Sequence, residues 1–130
     1  MDPLDLGPLL ARVPDAQAVY VFGSRADGTA RAASDLDLAV LAPAPLDALA
    51  RWEAQEALAA ALGVDVDLVD LRSASTVMRA EVLRSGRVVL DADPTARAFW
   101  ETWTMSAYAL LNEERQGILD DVRQRGRVHA

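Results

Sequence analysis

The 130-residue chain contains no cysteine and no lysine, and its one histidine is His129. Without a thiol there is no disulfide and no thiolate chemistry, and one histidine excludes a histidine-based zinc site. His129 is expected to be a tail residue with no chemical role. No apolar run approaches the roughly 18 residues of a membrane span, and nothing near Met1 reads as a secretory signal. A soluble, cytoplasmic chain is therefore expected. Positive charge is also scarce: 13 arginines face 20 acids, for a net charge of -7. Proteins that bind a phosphate backbone carry a basic face, so nucleic acid is not expected as a partner. The exclusive use of arginine, beside abundant alanine, reads as genome composition bias. Repeats and low-complexity tracts are absent. The length suits one domain, residues 1–130, with a sheet-and-helix core and no room for a second domain to grip a substrate. Recognition is thereby shifted to a partner surface, which favours a protein substrate.

What the chain does have is a turn between two strand-like runs. Val19-Tyr20-Val21-Phe22 is apolar, Gly23-Ser24-Arg25-Ala26-Asp27-Gly28 is polar, and Ser34-Asp35-Leu36-Asp37-Leu38-Ala39-Val40-Leu41 is again strand-like. A glycine directly after a buried strand lets the backbone approach a ligand, and a serine next to it offers a hydroxyl beside unpaired N–H groups. Together they suit a triphosphate. Side chains alternate along a strand, so Asp35 and Asp37 share one face while Leu36 turns into the core. Two such carboxylates repel unless a cation neutralises them, and hard oxygen ligands favour Mg²⁺ or Mn²⁺. Asp-x-Asp by itself often marks a soluble strand edge; its spacing from Gly23-Ser24 is what raises it above that.

A site with two metal ions, about 3.5–4 Å apart, needs a further carboxylate. Val64-Asp65-Val66-Asp67-Leu68-Val69-Asp70-Leu71 supplies candidates. Asp65 and Asp67 share a face and Asp70 lies on the other. Asp67 is selected because Val66 and Leu68 flank it as in a central strand, with Asp65, at the start of the run, as the alternative.

Elsewhere the pattern predicts an opening helix over 5–12 with Leu6, Leu9 and Leu10 on one side, and a helix over 46–62 closed by Gly63, with Trp52 and Leu49 in its apolar stripe. A strand over 66–71 follows. Ser75 is expected to cap a helix through Ser85 that Gly86 ends, with Val77, Met78 and Leu83 facing the core. A strand over 87–90 precedes a long helix from Pro94 to about Gln124, capped by Asp93. On that helix Phe99 and Trp103 are expected to pack on the sheet and Trp100 to stay exposed as a partner contact, while Leu111, Ile118 and Val122 continue an apolar line. The fold class is α/β (α+β), with about four strands and the two motif strands antiparallel.

The run from Phe22 to Val40, with Val66-Asp67-Leu68-Val69-Asp70-Leu71 and Glu81-Val82-Leu83-Arg84-Ser85-Gly86-Arg87-Val88-Val89-Leu90, resembles the minimal nucleotidyltransferases, or MNT proteins, of the polymerase beta-like nucleotidyltransferase superfamily. The resemblance covers roughly residues 17–91. It implies the nucleotidyltransferase fold, a mixed sheet with helices on one side. It also implies ATP held by Gly23 and Ser24, metal bound by Asp35 and Asp37, and Asp67 as the third acid, which positions or deprotonates the attacking hydroxyl. Two Mg²⁺ ions are the expected metals. Arg25, and after it Arg31, lie close enough to the turn to contact phosphate oxygens, although a plain surface position is the commoner explanation for both. Many MNT proteins are antitoxins that attach AMP to a tyrosine of a HEPN-type ribonuclease toxin, and that activity and partner are implied here by resemblance alone. A steric antitoxin with little catalysis, or a transferase acting on a small molecule such as an aminoglycoside, are the rival readings. Monomer, homo-oligomer and hetero-complex are all compatible with the long C-terminal helix.

Overall fold

A computed structural model describes residues 4–23 and 35–128. In chain order the elements are α1 (Gly7–Arg12), β1 (Ala18–Phe22), β2 (Leu36–Leu41), α2 (Ala48–Leu62), β3 (Val66–Asp70), α3 (Thr76–Ser85), β4 (Arg87–Asp91) and α4 (Pro94–Val128). The four strands form one sheet in the order β3-β2-β1-β4. β1 runs antiparallel to β2 and to β4, whereas β2 and β3 are parallel. A parallel pair needs a crossover, and α2 supplies it.

Both faces of the sheet are covered. Val19, Val21, Leu38, Val40 and Leu68 pack with Leu9, Ala54 and Leu58 of α1 and α2. On the other side Tyr20, Phe22, Ala39 and Leu41 pack with Val82 and Trp100 of α3 and α4. The expectation of helices on one side is corrected accordingly: β1 is buried at every position, as a strand apolar on both faces must be.

The helix ends follow from local chemistry. Asp47 accepts hydrogen bonds from the Leu49 and Ala50 N–H groups at 3.1 and 3.2 Å, so α2 begins at Ala48 rather than at 46. Gly63 ends it in the left-handed region, φ 71°. Ser75 accepts from Met78 N–H at 3.1 Å and Asp93 from Ala96 N–H at 3.1 Å, both as the sequence leads one to expect.

Helix rotation is where sequence pattern and structure part. In α2 the buried residues are Ala54 and Leu58, while Leu49 and Trp52 are 60% and 52% exposed. Gln55 and Arg51 explain the rotation: Gln55 accepts from Leu68 N–H at 2.9 Å and Arg51 donates to Leu68 C=O at 3.2 Å. These side chains satisfy the open edge of β3 and turn Trp52 outward. In α3 the buried residue is Val82; Leu83 is half-buried, and Val77 and Met78 are exposed. Arg79 anchors that helix by donating to the Leu71 and Arg72 carbonyls, each at 2.8 Å.

In α4 the aromatic assignment reverses. Trp100 is 1% exposed, while Phe99 is 76% and Trp103 53% exposed. Arg97 bonds Asp91 at 2.9 Å and Glu101 at 3.0 Å, and Glu101 accepts from the Tyr20 hydroxyl at 2.6 Å. That polar line, with Tyr20 and Trp100 ring centroids 5.9 Å apart, sets the face that meets the sheet. Trp103 instead lies under the Arg79 guanidinium, 5.6 Å from its ring centre. Among the described residues no helix is long and apolar enough to cross a membrane.

Candidate active site

The turn after β1 starts at Gly23, whose φ of 71° lies in the region that side chains disfavour. A second constraint acts on the same residue. Phe22 is paired with Asp37 across the antiparallel ladder, and a Cβ placed on Gly23 would sit 2.5 Å from Asp37 Oδ2. Glycine is therefore needed both for the backbone turn and for the carboxylate lying against it. The last turn of α3 closes on the same spot, with Gly23 N–H 3.5 Å from Ser85 Oγ, the outer limit of a hydrogen bond. Ser85 Oγ itself donates to the Glu81 carbonyl at 3.0 Å.

Asp37 and Asp67 are direct partners in the parallel β2–β3 ladder. Neighbouring strands lie about 4.8 Å apart, so the two carboxylates leave the sheet side by side. Asp37 is half-buried, while Asp35 and Asp67 are exposed. Burial pushes the Asp37 carboxyl above its usual range, and the charges of Asp67 and then Asp35 push it further the same way. Mutual repulsion of this kind marks a place where a cation is favourable. The described residues hold no ready-made cluster of three or more ligating side chains. Mg²⁺ is usually bound by one or two carboxylates plus substrate phosphates. The donor set of hard carboxylate oxygens fits that ion.

The other acids separate cleanly. Asp70 is buried and accepts from Leu46 N–H at 2.8 Å, Arg72 N–H at 3.0 Å and Ser73 Oγ at 2.7 Å, so it ties the loops around β3 together. Asp65 precedes β3; its carbonyl accepts from Leu36 N–H at 2.9 Å, and it is Asp67 that stands opposite Asp37. Ser24, Arg25 and Arg31 lie outside the described residues. Two features escaped the sequence reading. Ser85 read only as the end of a helix, because its closeness to Gly23 depends on β4 pairing with β1. The Tyr20–Glu101–Arg97–Asp91 line joins residues up to 81 positions apart, and within it burial, followed by the Glu101 carboxylate, raises the Tyr20 phenol far above its ordinary range.

Residues 5–95 match the family described as Polymerase beta, Nucleotidyltransferase. The chain is 47% identical over 110 residues to protein adenylyltransferase MntA of Shewanella oneidensis, covering 85% of this chain and 78% of that protein. It is 44% identical over 80 residues to the probable protein adenylyltransferase MntA of Haemophilus influenzae, covering 61% and 68%. Among solved structures, a toxin-antitoxin with AMP-PNP superposes with a TM-score of 0.78 at 42% identity, covering 92% of this chain and 98% of that one. A tri-AMPylated Shewanella oneidensis HEPN toxin in complex with its MNT antitoxin gives 0.74 at 42% identity, covering 90% and 91%. A positive-φ glycine against the first of two paired aspartates, on a mixed sheet that superposes on these structures, places this chain in the polymerase beta nucleotidyltransferase family.

Proposed function

We propose that this chain is a cytoplasmic protein adenylyltransferase, an antitoxin that transfers AMP from ATP to a tyrosine hydroxyl of a HEPN-type toxin. The observation that carries the reading is the Asp37–Asp67 pair set in register beside Gly23, in a chain 47% identical to a protein adenylyltransferase. The related complex in which a HEPN toxin carries AMP groups supports the acceptor class.

In this reading Gly23 and Ser24 receive the β and γ phosphates through backbone N–H groups and the serine hydroxyl, with Arg25 beside them. Asp35 and Asp37 are the metal ligands, joined by Asp67. Two Mg²⁺ ions, when bound, would supply charge stabilisation for the leaving pyrophosphate and alignment of the attacking oxygen. Asp67 orients the acceptor hydroxyl and takes its proton as the oxygen bonds to the α-phosphorus and pyrophosphate departs. The apposition of Asp37 and Asp67 also favours catalysis over purely steric inhibition, since a covering protein has no use for adjacent, mutually repelling carboxylates.

The test is the intact mass of a HEPN-type toxin after incubation with this chain, ATP and Mg²⁺. Mass gained in whole AMP steps, lost with Asp37→Asn and with Asp67→Asn, is the expected result. A toxin neutralised equally well by Asp37→Asn, with no added mass, overturns it in favour of steric inhibition.

A further inference from the structure

α3 ends against the turn that leaves β1, and the strand register shows why. β1 and β4 are antiparallel with Val21 opposite Arg87, so continuing that register by two residues brings Ser85 opposite Gly23. Gly86, the residue between helix and strand, permits the join: a Cβ there would run into the Val82 carbonyl and stand 3.5 Å from the Val21 carbonyl. Gly86 N–H bonds the same Val82 carbonyl at 2.7 Å, which closes the helix. The last residue of α3 is thus fixed over the end of β1 by backbone contacts, and its hydroxyl oxygen lies 3.5 Å from Gly23 N–H.

Gly23 therefore has a different neighbour on each side. Towards β2 stands Asp37 Oδ2, close enough that a Cβ on Gly23 would meet it at 2.5 Å, and towards β4 stands the Ser85 hydroxyl. The first suits a metal ion, and the second is a neutral group able to donate. A triphosphate needs both, since some of its oxygens face metal and the others need hydrogen-bond donors. The carbonyl end of a helix repels phosphate oxygens, so the residue of α3 nearest to them helps only by donating. The Ser85 hydroxyl is free to do so. Its proton goes to the Glu81 carbonyl at 3.0 Å, a back-bond to a group that the helix ladder already satisfies. The Glu81 carboxylate, also within its reach, is held by Arg84 at 2.6 and 3.0 Å. The contact with Gly23 N–H is at the outer limit of a hydrogen bond and exchanges readily for a phosphate oxygen. Turning the hydroxyl away from Glu81 orphans no group.

We propose that Ser85 is a nucleotide-binding residue: its hydroxyl donates to a β- or γ-phosphate oxygen of ATP on the side away from the metal ligands, while Gly23 N–H takes another oxygen of the triphosphate. The inference rests on the adenylyl-transfer reading for the identity of the nucleotide, and it adds a donor on the β4 side that the Gly23-Ser24 motif does not contain. A purely structural serine has the opposite signature. If Ser85 only held Gly23 N–H, it would compete with phosphate for that group, and its loss would tighten nucleotide binding.

The test compares wild type with Ser85→Ala. Calorimetric titration gives the Kd for AMP-PNP with Mg²⁺ and for AMP, which lacks the β and γ phosphates, and kinetics give KM for ATP and for a HEPN-type toxin. Alanine favours a helix, so the variant is expected to fold, with circular dichroism and Tm as the check. Ser85→Ala should weaken AMP-PNP binding about ten-fold or more, the scale of a lost hydrogen bond to a charged group, and raise KM for ATP by a similar factor. AMP affinity and KM for the toxin should stay within about two-fold. AMP-PNP bound as tightly as by wild type, or more tightly, overturns the proposal. So does an equal loss for AMP-PNP and AMP in a folded variant, which marks a general disturbance of the turn. Should alanine unfold the chain, Ser85→Cys, close in shape and a weak donor, is read in its place against the same outcomes. Wild type that binds AMP-PNP through Ser85 but adds no AMP to the toxin defeats the transfer reading and upholds the Ser85 contact; wild type that binds no AMP-PNP defeats both.

Discussion

Replacing Gly23 with alanine separates two costs that the structure superimposes on one residue. The first is conformational: at φ 71° a Cβ is disfavoured by about 1–2 kcal/mol. The second is steric, because the new Cβ would lie 2.5 Å from Asp37 Oδ2 and 3.4 Å from its Cγ. That oxygen is the free end of a rotatable side chain, so it swings aside for roughly 0.5–1.5 kcal/mol of rotamer strain. The total, about 2–3 kcal/mol, corresponds to a fall in Tm of roughly 6–12 °C for a domain of this size. Activity should suffer out of proportion, since the atom displaced is the proposed metal ligand and a misplacement of about 1 Å can cost 100-fold. A double-mutant cycle isolates the contact. In an Asp37→Ala background, Gly23→Ala should cost only the conformational part, leaving a coupling of about 0.5–1.5 kcal/mol measurable by thermal and urea unfolding. Equal destabilisation in both backgrounds, or wild-type AMP transfer by Gly23→Ala, would refute the reasoning.

Further outcomes follow from the same geometry. Asp37→Asn should stabilise the protein in EDTA by about 0.5–1 kcal/mol at pH 7, the scale of a partly exposed charge pair. The sign follows from the raised carboxyl: the fold holds that proton more tightly than the unfolded chain, so the destabilisation exists above the folded pKa and disappears as pH falls below the ordinary carboxylate value. Tm measured against pH should show the gap closing in acid, and added Mg²⁺ should raise Tm for wild type but not for the variant. Asp70→Ala should lose about 2–3 kcal/mol with transfer per folded molecule intact, whereas Asp67→Ala should lose transfer with little change in stability; unfolding curves and intact mass together distinguish them. Trp100→Ala should cost about 3–5 kcal/mol and Phe99→Ala less than about 0.5 kcal/mol, and comparable losses would contradict the helix rotation described here.

Sequence by itself determined the order of the elements and where the motif's carboxylates fall along the strands. The glycine after α2, the caps at Ser75 and Asp93, and the period-2 alternation that exposes Asp67 between buried Val66 and Leu68 are local, and local rules read them correctly. Tertiary structure decided everything that depends on which way an element is turned. Trp52 and Leu49 fit a helical stripe as well as Ala54 and Leu58 do; Gln55 and Arg51 choose between them by satisfying the edge of β3. Trp100 and Phe99 are adjacent in the chain, and only the pairing of Arg97 with Asp91 and of Glu101 with Tyr20 places one inside and the other out. The same holds for Ser85 at Gly23. Apolar periodicity states that a helix has a face to cover, while the strand register and polar contacts to distant residues decide which face it is and where along the helix the cover ends.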